Sequence, residues 1–560
     1  MNDNHPVHKL KSDAKILLTS VFGPYSQKDE YGGRESNSIE LYHNQVTRVQ
    51  GAYSLRMFHR SFGLMMIQEN LDAPVTLLDF PTRERFIEEL KTKKYDVIGI
   101  SSIIPNFPKL KEMCRLAREL QPEATLVVGG HIANIGNLKE RVGADHIVRG
   151  EGIRWFRKFI GQDENAPIKH PAVYSGFNSR VMGIDLSKKP GDTAAILIPS
   201  VGCPMGCNFC STSALFGGKG KSIHFYETGD QLFEVMLELE RKLKVNSFFA
   251  LDENFLFHKN RAMRLLELMR KHDKSWAIFI FSSAQILKHY TMDELLGLGV
   301  SWVWMGIEGK NSRYEKLHNI DTMELVRKLQ ENGIRVLGSS IIGLEDHSAE
   351  NISEVIDHAV AHNTVFHQFM LYTPTEGTPF YEEMKTKGAL LPESECSLSD
   401  ANGQYRLNYK HGHIEKGKEE EYLLEAFRRD FKVNGPSIAR LVKTTFDGYQ
   451  KHKDHPDERI RRRIRRDAKT LSITFAGVIW AIRKKFSEYS GTEMEMKSLL
   501  DRIYQEFGFK SRIAAPIAGL YIYMAITREE KRLASGWTYE PPTFYEFNTA
   551  ARRIMANPAM

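Results

Sequence analysis

The sequence predicts an α/β protein built from two strand–helix domains and a third, helix-rich domain. Short apolar runs separated by amphipathic stretches occupy residues 15–160, and about six further units of this kind occupy residues 193–385. Near-continuous apolar runs are typical of buried parallel strands, and their alternation with helices indicates sheets covered by helices. Residues 386–560 are instead charged and largely helical in pattern. A chain of 560 residues has room for three or four domains of ~150 residues each.

The first domain, residues 1–160, is predicted to be a doubly wound, Rossmann-like α/β domain. Ligands of such sheets lie beyond the carboxyl ends of the strands, where glycines permit close backbone approach and serines can donate hydrogen bonds. Tight strand–helix turns without a ligand explain the same residues equally well. Strands are predicted at residues 15–19, 75–79, 95–100 and 124–128, and the candidate ligand contacts at their ends are Ser20, Ser101, Ser102, Gly129 and Gly130.

Residues 161–192 carry several glycine and proline breaks and are predicted to be a linker with short strands. The second domain, residues 193–385, has about six strand–helix units, fewer than the eight of a closed barrel. In barrels built from such units, functional sites lie at the C-terminal ends of the strands. The strands are predicted near residues 194–200, 247–251, 276–282, 302–307, 335–342 and 364–371.

The third domain, residues 386–560, is predicted to be α-rich. It contains a strongly basic run at residues 459–469 and two apolar stretches, residues 471–482 and 514–526, each followed by basic residues. Both stretches are too short to span a bilayer, which takes ~20 residues, and long enough for a core or a membrane interface. Buried helices with a solvated basic face are the simpler interpretation, and membrane-surface contact is the alternative. Nucleic-acid binding is not expected, because aromatic residues do not interleave the basic run.

Composition excludes several classes of protein. Five cysteines in 560 residues are too few for a disulfide framework, and the net charge of +7 is mild for this length. The N-terminus is polar and lacks the apolar core of a secretory signal, and no apolar run is long enough to cross a membrane. A cytoplasmic location is predicted, with contact at the membrane periphery as its extension.

Three cysteines within eight residues, Cys203, Cys207 and Cys210, are the most informative motif. The C-x3-C-x2-C spacing offers three thiolates to an iron–sulfur cluster and leaves one iron of a four-iron cluster without a protein ligand. An open metal position is typical of catalytic rather than structural sites. Zinc or chance clustering is the alternative. Zinc favours four ligands in two C-x2-C pairs, and the nearest downstream histidines, His224 and His258, lie at no recognisable spacing.

The cysteine motif, with Phe209 before its third cysteine and an apolar strand before its first, resembles the cluster loop of the radical S-adenosylmethionine (SAM) superfamily. The resemblance implies a partial (β/α)6 barrel and a 4Fe-4S cluster whose open iron is chelated by SAM. It places Phe209 beside the adenine. It also implies a reducing cytosol, because such clusters are oxygen-labile, and an electron donor of the flavodoxin or ferredoxin type.

The first domain resembles the cobalamin (B12)-binding domain that precedes many radical SAM enzymes. The resemblance rests on a strand ending in Gly129-Gly130-His131 and on the later segment Val148-Arg-Gly-Glu-Gly152. It implies that cobalamin lies at the strand ends carrying the serines and glycines named above. The Asp-x-His-x-x-Gly fingerprint, which supplies a histidine beneath cobalt, is absent, as is usual in this branch. We interpret His131 as a hydrogen-bonded turn residue rather than a metal ligand.

Further SAM contacts follow from the resemblance, strand by strand. The segment after the second barrel strand is close to the Asp-Asp-x-Phe of B12-type members, although a helix cap would use the same residues. The fourth strand is similar to Gly-x-Glu-Ser, with Gly309 in place of the serine. Tyr372 and Glu376, in the segment that ends the core, are candidate substrate contacts. The matching SAM positions are Asp252, Glu253, Asn254, Ser283, Gln285 and Glu308.

The implied function is cobalamin-dependent methylation of an unactivated carbon, started by a 5′-deoxyadenosyl radical made from SAM. The substrate is a small molecule or a lipid, and the lipid is suggested only by the apolar stretches beside basic residues. The cofactors perform the difficult steps, so no catalytic residue is assigned beyond the groups that bind them. Radical cyclisation, rearrangement or carbon–carbon coupling without methyl transfer is a second hypothesis. A non-enzymatic SAM or B12 sensor is a third.

Overall fold

The computed structural model describes residues 13–23, 42–186, 192–308, 320–488, 490–537 and 542–556. Gly309, which stands in place of the serine in the Gly-x-Glu-Ser pattern, lies outside these residues. The described chain forms two six-stranded sheets, a small three-stranded sheet, a two-stranded hairpin and a helical region.

The first sheet is a doubly wound, parallel sheet with one antiparallel edge strand, which confirms the predicted class of the first domain. Its strand order is β17-β3-β1-β4-β5-β6. Helices lie between its strands, and side chains cap the first turn of some of them; the Thr82 hydroxyl, for example, accepts the Arg85 N–H at the start of α2. The elements are β1 (Ile16–Thr19), α1 (Phe62–Glu69), β3 (Val75–Asp79), α2 (Arg83–Thr92), β4 (Val97–Ser101), α3 (Phe107–Leu120), β5 (Thr125–Gly129), α4 (Leu138–Val142), β6 (His146–Ile147), α5 (Gly152–Phe159) and β17 (Phe544–Phe547).

The winding of this sheet reverses between β1 and β4. The chain leaves β1 for β3 on one side and then crosses to β4 on the other, and β1 pairs in parallel with both. In doubly wound sheets, ligands bind beyond the carboxyl ends of the strands at this switch point. Ser20 follows β1 and Ser102 follows β4, so two of the predicted cobalamin contacts flank the switch point.

The second sheet is an open, all-parallel sheet with the order β16-β15-β14-β13-β12-β9, which confirms a six-stranded partial barrel. Its helices are well capped; α7 begins with a capping box between Thr228 and Gln231. The elements are β9 (Ala195–Leu197), α6 (Ser211–Leu215), α7 (Gly229–Leu243), β12 (Ser247–Ala250), α8 (Lys259–Lys271), β13 (Ala277–Phe281), α9 (Ala284–Leu287), α10 (Met292–Leu298), β14 (Val300–Gly306), α11 (Thr322–Glu331), β15 (Arg335–Ile342), α12 (Ile352–Ala361), β16 (Phe366–Leu371) and α13 (Pro379–Thr386).

Alternate residues of the barrel strands face its two sides, as the two-residue period of a strand requires. On β14, Val303 and Met305 pack with the surrounding helices in the largest buried cluster. Trp302 and Trp304 point to the other side, where they meet aromatic residues of neighbouring strands. The inner side of the barrel is therefore lined with aromatic rings.

Smaller strands join the two sheets. The predicted linker contributes β7 (Phe177–Val181) and β8 (Ile184–Asp185), which pair with β2 (Arg56–Phe58) of the first domain. The hairpin of β10 (Ser200–Val201) and β11 (Ile223–His224) encloses the cysteine motif. Two- and three-residue strands carry too little alternation to be recognised in a sequence.

The C-terminal region is helical, as expected, except for one strand that the sequence analysis did not anticipate. β17 pairs antiparallel with β3, so the end of the chain joins the sheet of the first domain. The helices are α14 (Lys418–Asn434), α15 (Ser437–His452), α16 (Glu458–Asp467), α17 (Ala476–Lys485), α18 (Ser490–Ala534), which is broken at Gly508, and α19 (Thr549–Ala556). Among the described helices, none has the length and apolar character needed to cross a membrane.

The basic run is only partly the solvated face that its composition suggests. Arg459 and Arg463 of α16 are buried, and their guanidinium groups donate to backbone carbonyls of the barrel, at Lys274 and Leu296 respectively. Burial lowers the pKa of Arg463 to about 10. Arg462 binds the exposed Asp273. Arginines about one helical turn apart thus attach this helix to the barrel.

Candidate active site

The three cysteines lie in the loop between β10 and α6, at the C-terminal end of the first barrel strand. Cys203, Cys207 and Cys210 are all partly exposed. The loop turns sharply at Gly206, which has a φ of 63°. A Cβ atom there would lie 2.4 Å from the Cβ of Lys219, so this turn requires glycine.

The thiols are close enough to influence one another. The Cys210 N–H donates to the Cys207 carbonyl at 3.0 Å, and the Cys210 sulfur accepts the Ser213 N–H at the start of α6. Burial, with smaller contributions from the other two thiols, raises the pKa of Cys203 to about 11. A bound metal reverses this effect, since a coordinated thiol is deprotonated. Three adjacent thiols therefore fit a cluster with one open iron.

Among the described residues, no group of three or more His, Cys, Asp or Glu side chains is arranged to hold a single metal ion. In a four-iron cluster, each cysteine binds a different iron atom, so its ligands lie further apart than those of a single ion.

Asn208, inside the motif, anchors the loop to the segment that closes the barrel. Its side-chain amide donates to the Tyr372 hydroxyl at 3.1 Å, and its carbonyl accepts the Phe380 N–H at 3.0 Å. The ring of Phe209 meets the Tyr372 ring edge-to-face, with centroids 5.7 Å apart. Tyr372 was expected as a substrate contact; the structure places it against the cluster loop.

Asp252, at the end of β12, is engaged within the protein. Its carboxylate accepts the Ser200 hydroxyl at 2.5 Å, the Asn254 N–H at 3.1 Å and the Arg261 guanidinium at 2.6 Å. The Asp252 and Arg261 side chains are 4% and 2% exposed. This geometry makes Asp252 a fixed support for the hairpin beside the cysteines.

Glu253 is the carboxylate next to the cysteine loop. Its Oε2 atom is buried and has no hydrogen-bond partner within the described chain. Burial raises its pKa to about 7, against the lowering effect of backbone N–H groups, including that of Gly202. Its charge in turn raises the pKa values of Cys203 and Cys210. A buried acceptor that lacks a donor fits a ligand that brings one, such as the amino group of SAM.

Asn254, Ser283 and Gln285 line the ends of β12 and β13. The Asn254 side-chain oxygen accepts the Ser282 hydroxyl at 3.1 Å and the Ser283 N–H at 3.4 Å. The Gln285 side-chain oxygen is buried and has no partner among the described residues. Gln285 is therefore a second acceptor suited to a polar ligand, whereas Asn254 joins the two strand ends.

Glu308 follows β14 and is 4% exposed. Its φ of 54° is unusual for a residue other than glycine, and its N–H donates to the Ser339 carbonyl at 3.1 Å. Backbone strain of this kind is concentrated at functional sites. The structure thus gathers the residues predicted to bind SAM at one end of the barrel.

The predicted cobalamin contacts on β4 and β5 form one surface. Gly130 has a φ of 88°, and a Cβ on it would lie 2.4 Å from the Ser102 carbonyl oxygen and 2.9 Å from the Ser101 hydroxyl. The Ser102 N–H donates to the Gly129 carbonyl at 3.0 Å. Only glycine permits this close approach between two strand ends.

Ser20 is also buried, but its hydroxyl is already engaged. It donates to the Asp79 carboxylate at 2.7 Å and accepts the Phe80 N–H at 2.8 Å. Ser20 therefore connects the ends of β1 and β3, and its contact with a ligand stays a prediction.

The strand ends of the first domain face the cysteine loop directly. His131, after Gly130, forms a 3.0 Å hydrogen bond with the hydroxyl of Thr212, two residues beyond Cys210. The Asn134 side chain donates to the Ser211 carbonyl at 3.1 Å. Burial lowers the pKa of His131, which favours the neutral ring. The expected hydrogen-bonded turn histidine thus joins the two candidate cofactor surfaces.

Several residues of the site were missed by sequence reasoning. Arg149 donates to the Ala133 and Asn134 carbonyls and holds the turn that carries His131. It lies in the Val148–Gly152 segment on which the resemblance to the B12-binding domain rests, so the sequence did point to this region. Arg261 gave none, because an arginine in the first turn of an amphipathic helix is ordinary.

Two family models match the chain. The B12-binding domain model matches residues 53–159, and the radical SAM superfamily model matches residues 197–359. The chain is a radical SAM protein with an N-terminal B12-binding domain. The matched segments contain the Gly130 surface and the cysteine loop, respectively. Cobalamin, SAM and an iron–sulfur cluster are accordingly its cofactors.

Three relatives of this radical SAM protein differ in the reactions that their names describe. Bacteriochlorophyllide d C-12(1)-methyltransferase of Chlorobaculum tepidum is 32% identical over 34% of this chain and 42% of its own length. Anaerobic magnesium-protoporphyrin IX monomethyl ester cyclase of Rubrivivax gelatinosus is 24% identical over 54% and 60%, respectively. Hopanoid C-3 methylase of Methylococcus capsulatus is 22% identical over 48% and 58%. The chain thus spans less than two thirds of each of these relatives.

Proposed function

We propose that the protein methylates an unactivated carbon of an apolar substrate, with cobalamin as the methyl carrier. The observation that carries the proposal is the direct contact between the predicted cobalamin surface and the cluster loop, through His131 and Thr212. A methyl donor and a radical generator must act on the same carbon, so their binding sites have to adjoin. Two of the three relatives named above are methyltransferases or methylases.

The residues divide the work of binding. Cys203, Cys207 and Cys210 would hold the cluster, while the partnerless oxygens of Glu253 and Gln285 would accept hydrogen bonds from SAM. When bound, the cluster and SAM supply a carbon-centred radical and cobalamin supplies a methyl group. The protein orients these groups and keeps water away, and a flavodoxin- or ferredoxin-type donor would supply the electron.

Anaerobic assay of the reconstituted protein with methyl-labelled SAM tests this proposal. We expect 5′-deoxyadenosine and S-adenosylhomocysteine, together with product that carries the label. Alanine at any of the three cysteines should abolish all three, and Cys114→Ala, a buried cysteine away from the loop, should not. Label-free product with 5′-deoxyadenosine would instead establish a cyclisation or rearrangement, as the name of the cyclase relative suggests. Absence of 5′-deoxyadenosine under reducing conditions would favour the sensor.

An apolar substrate is supported by an exposed surface on α18. Its outer face carries large apolar side chains that no described residue covers, and we call them, with the neighbouring Ile473, the α18 patch. Lys510, Arg512 and Arg528 are exposed beside it, and residues 507–528 contain no acidic residue. An apolar face edged by cations fits the surface of an anionic bilayer. The patch consists of Ile473, Phe509, Ile513, Ile517, Leu520, Tyr521 and Met524.

The first apolar stretch contributes Ile473 to this surface and is otherwise largely buried. In α17, Val478, Ile479 and Ile482 are buried in the core of the helical region. The membrane hypothesis therefore rests mainly on α18, which contains the second stretch. Under this hypothesis the protein is cytoplasmic and contacts the membrane at its surface.

Flotation with liposomes containing anionic lipid tests the patch. Ile517→Glu introduces a charge at a side chain that is 70% exposed, and it should abolish flotation. Val433→Glu is the matched control, because Val433 is 62% exposed on α14, outside the patch. Equal flotation of both variants would refute the membrane contact and leave methylation untouched.

A further inference from the structure

A large cleft lies at the amino ends of the barrel strands, opposite the cysteine loop. It encloses about 530 Å³. Its lining includes residues at or next to the starts of several strands, such as Ala194, Ser247, Ala277 and Phe366. A strand rises ~3.3 Å per residue, so roughly 10–25 Å separates this end of the barrel from the end that carries the candidate SAM contacts. The cleft is therefore distinct from the proposed active site.

Its inner wall is a row of stacked aromatic rings from four barrel strands, β12, β13, β14 and β16. Phe249 and Phe279 have centroids 4.5 Å apart, Phe279 and Trp302 5.7 Å, and Trp302 and Phe366 5.4 Å, all at interplanar angles below 30°. All four rings line the cleft, so this wall is largely hydrocarbon and has few hydrogen-bonding groups.

The facing wall comes from the helical region and is also apolar. It includes Leu441 of α15, Val478 of α17 and Ile522 of α18. Small-molecule sites occupy roughly 300–1,000 Å³ and are predominantly apolar, and an apolar cavity of about 150 Å³ already binds benzene. The cleft thus has the size and the lining of a ligand site.

The charged groups of the cleft argue against a charged occupant. Arg335 is the only cation in the described lining, and it is engaged by Asp467 at 3.3 Å and by the Thr445 hydroxyl at 3.0 Å. Its guanidinium also lies over the Trp302 ring at 5.8 Å. The remaining charge in the lining, Asp192, is negative. An anionic headgroup would find no cation available there.

The cleft reaches the surface beside the α18 patch. Thr474 lines the cleft and is exposed, and its neighbour Ile473 belongs to the patch. The Ser511 hydroxyl donates to the Ser472 carbonyl at 2.6 Å, which holds this mouth against the helix that carries the patch. The mouth of the cleft and the α18 patch are therefore adjacent on the protein surface.

We infer that this cleft is a second ligand site, which binds the hydrocarbon chain of an amphiphile whose headgroup stays outside. The occupant is a fatty-acyl or isoprenoid chain, selected by the two apolar walls, the engaged arginine and the adjoining patch. The inference is independent of the methyl transfer, because the two sites lie at opposite ends of the barrel. Only delivery of the chain from a membrane depends on the proposed membrane contact.

Binding of cis-parinaric acid, a fluorescent 18-carbon fatty acid, tests the site in the full-length protein without cofactors. We expect saturable, one-to-one binding that stearate displaces and glycerol 3-phosphate does not. Ala194→Trp fills the cleft and should weaken binding by about tenfold or more. Ala389→Trp is the matched control, since Ala389 is also partly buried but lies outside the cleft. Circular dichroism confirms that each variant folds, and Ser247→Trp fills the cleft from another strand if the first variant does not.

Three results would overturn the inference. The first is no saturable binding by the wild type, and the second is full binding by a folded, cleft-filled variant. The third is a loss of binding in Ile517→Glu without any loss of binding in Ala194→Trp. That pattern would place the probe on the outer patch. None of these results bears on the labelled-methyl assay. Failure of the ligand site is therefore distinguishable from failure of the proposed methyl transfer.

Discussion

Arg261 is the buried counter-ion of Asp252, and its replacement by methionine should destabilise the barrel strongly. The two side chains meet at 2.6 Å and are almost fully inaccessible to water. Methionine keeps much of the volume but leaves the Asp252 carboxylate buried beside only the Ser200 hydroxyl and the Asn254 N–H. Removing one partner of a buried pair typically costs ~3–5 kcal/mol, because the remaining charge loses its compensation.

The magnitude can be expressed as a melting temperature. For a domain of about 150–250 residues, 1 kcal/mol shifts the Tm by roughly 2–4 °C, so Arg261→Met should lower the barrel transition by about 6–20 °C. Differential scanning calorimetry of the full chain measures this shift. A chain of several domains does not unfold in one step, so the comparison is between transitions rather than between total free energies.

A surface pair of similar geometry provides the control. Arg264 meets Asp230 at 2.7 Å, but these side chains are 46% and 53% exposed. Exposed pairs contribute ~0–1 kcal/mol, so Arg264→Met should hardly change the Tm. The double variant Arg261→Met with Asp252→Asn removes the isolated charge and should recover part of the loss. Equal shifts for Arg261→Met and Arg264→Met would refute the argument from burial.

Three further predictions concern the cofactor surfaces and the core. Tyr372→Phe removes the hydrogen bond to Asn208, which is worth ~1 kcal/mol, and should change the electron paramagnetic resonance spectrum of the reduced cluster. Tyr381 is partly buried on the adjoining helix, and Tyr381→Phe should leave that spectrum unchanged. Gly130→Ala places a methyl group 2.4 Å from the Ser102 carbonyl oxygen and should reduce the amount of cobalamin retained on gel filtration. Gly143 also has a positive φ but has open space around it, so Gly143→Ala should retain the wild-type amount. His367 is fully buried between Thr364 and Ser340, and burial lowers its pKa to about 3. Between pH 6.5 and 3 the unfolded chain therefore binds more protons than the folded chain, so stability falls as the pH is lowered through this range. His367→Gln should make that fall shallower in acid-unfolding curves. An unchanged slope would contradict the assignment of this pH dependence to His367.

The parts that sequence predicted well are those with strong local patterns. Strand–helix alternation located the parallel strands of both sheets, because near-continuous apolar runs are a strong local signal. The cysteine motif indicated the loop at the C-terminal end of the barrel, since its three cysteines are close in the chain, and their role as cluster ligands stays a prediction. β17 escaped notice because it is a four-residue strand whose partner, β3, lies more than 460 residues earlier.

Residues that act across the fold escaped for the same reason. The Asp252–Arg261 pair and the Asn208–Tyr372 contact depend on which strand ends meet, and a single sequence does not contain that information. The basic run shows the opposite error. Its charge suggested a solvated face, whereas α-helical spacing directs Arg459 and Arg463 into the barrel, where their guanidinium groups donate to backbone carbonyls.

The C-terminal region bears on the chemistry through its two attachments. α16 is fixed to the barrel by its buried arginines, and β17 is hydrogen-bonded to β3 in the B12-binding sheet. Each attachment is to a different cofactor domain, and both add to the direct contacts between those domains, such as the bond between His131 and Thr212 at the site. The C-terminal region therefore helps to fix the spacing of the two cofactor domains. Arg60 strengthens this link, since its guanidinium binds Glu546 of β17 and Asp79 of β3 together. Loss of that link should uncouple the two cofactors, so that SAM cleavage continues while methyl transfer falls.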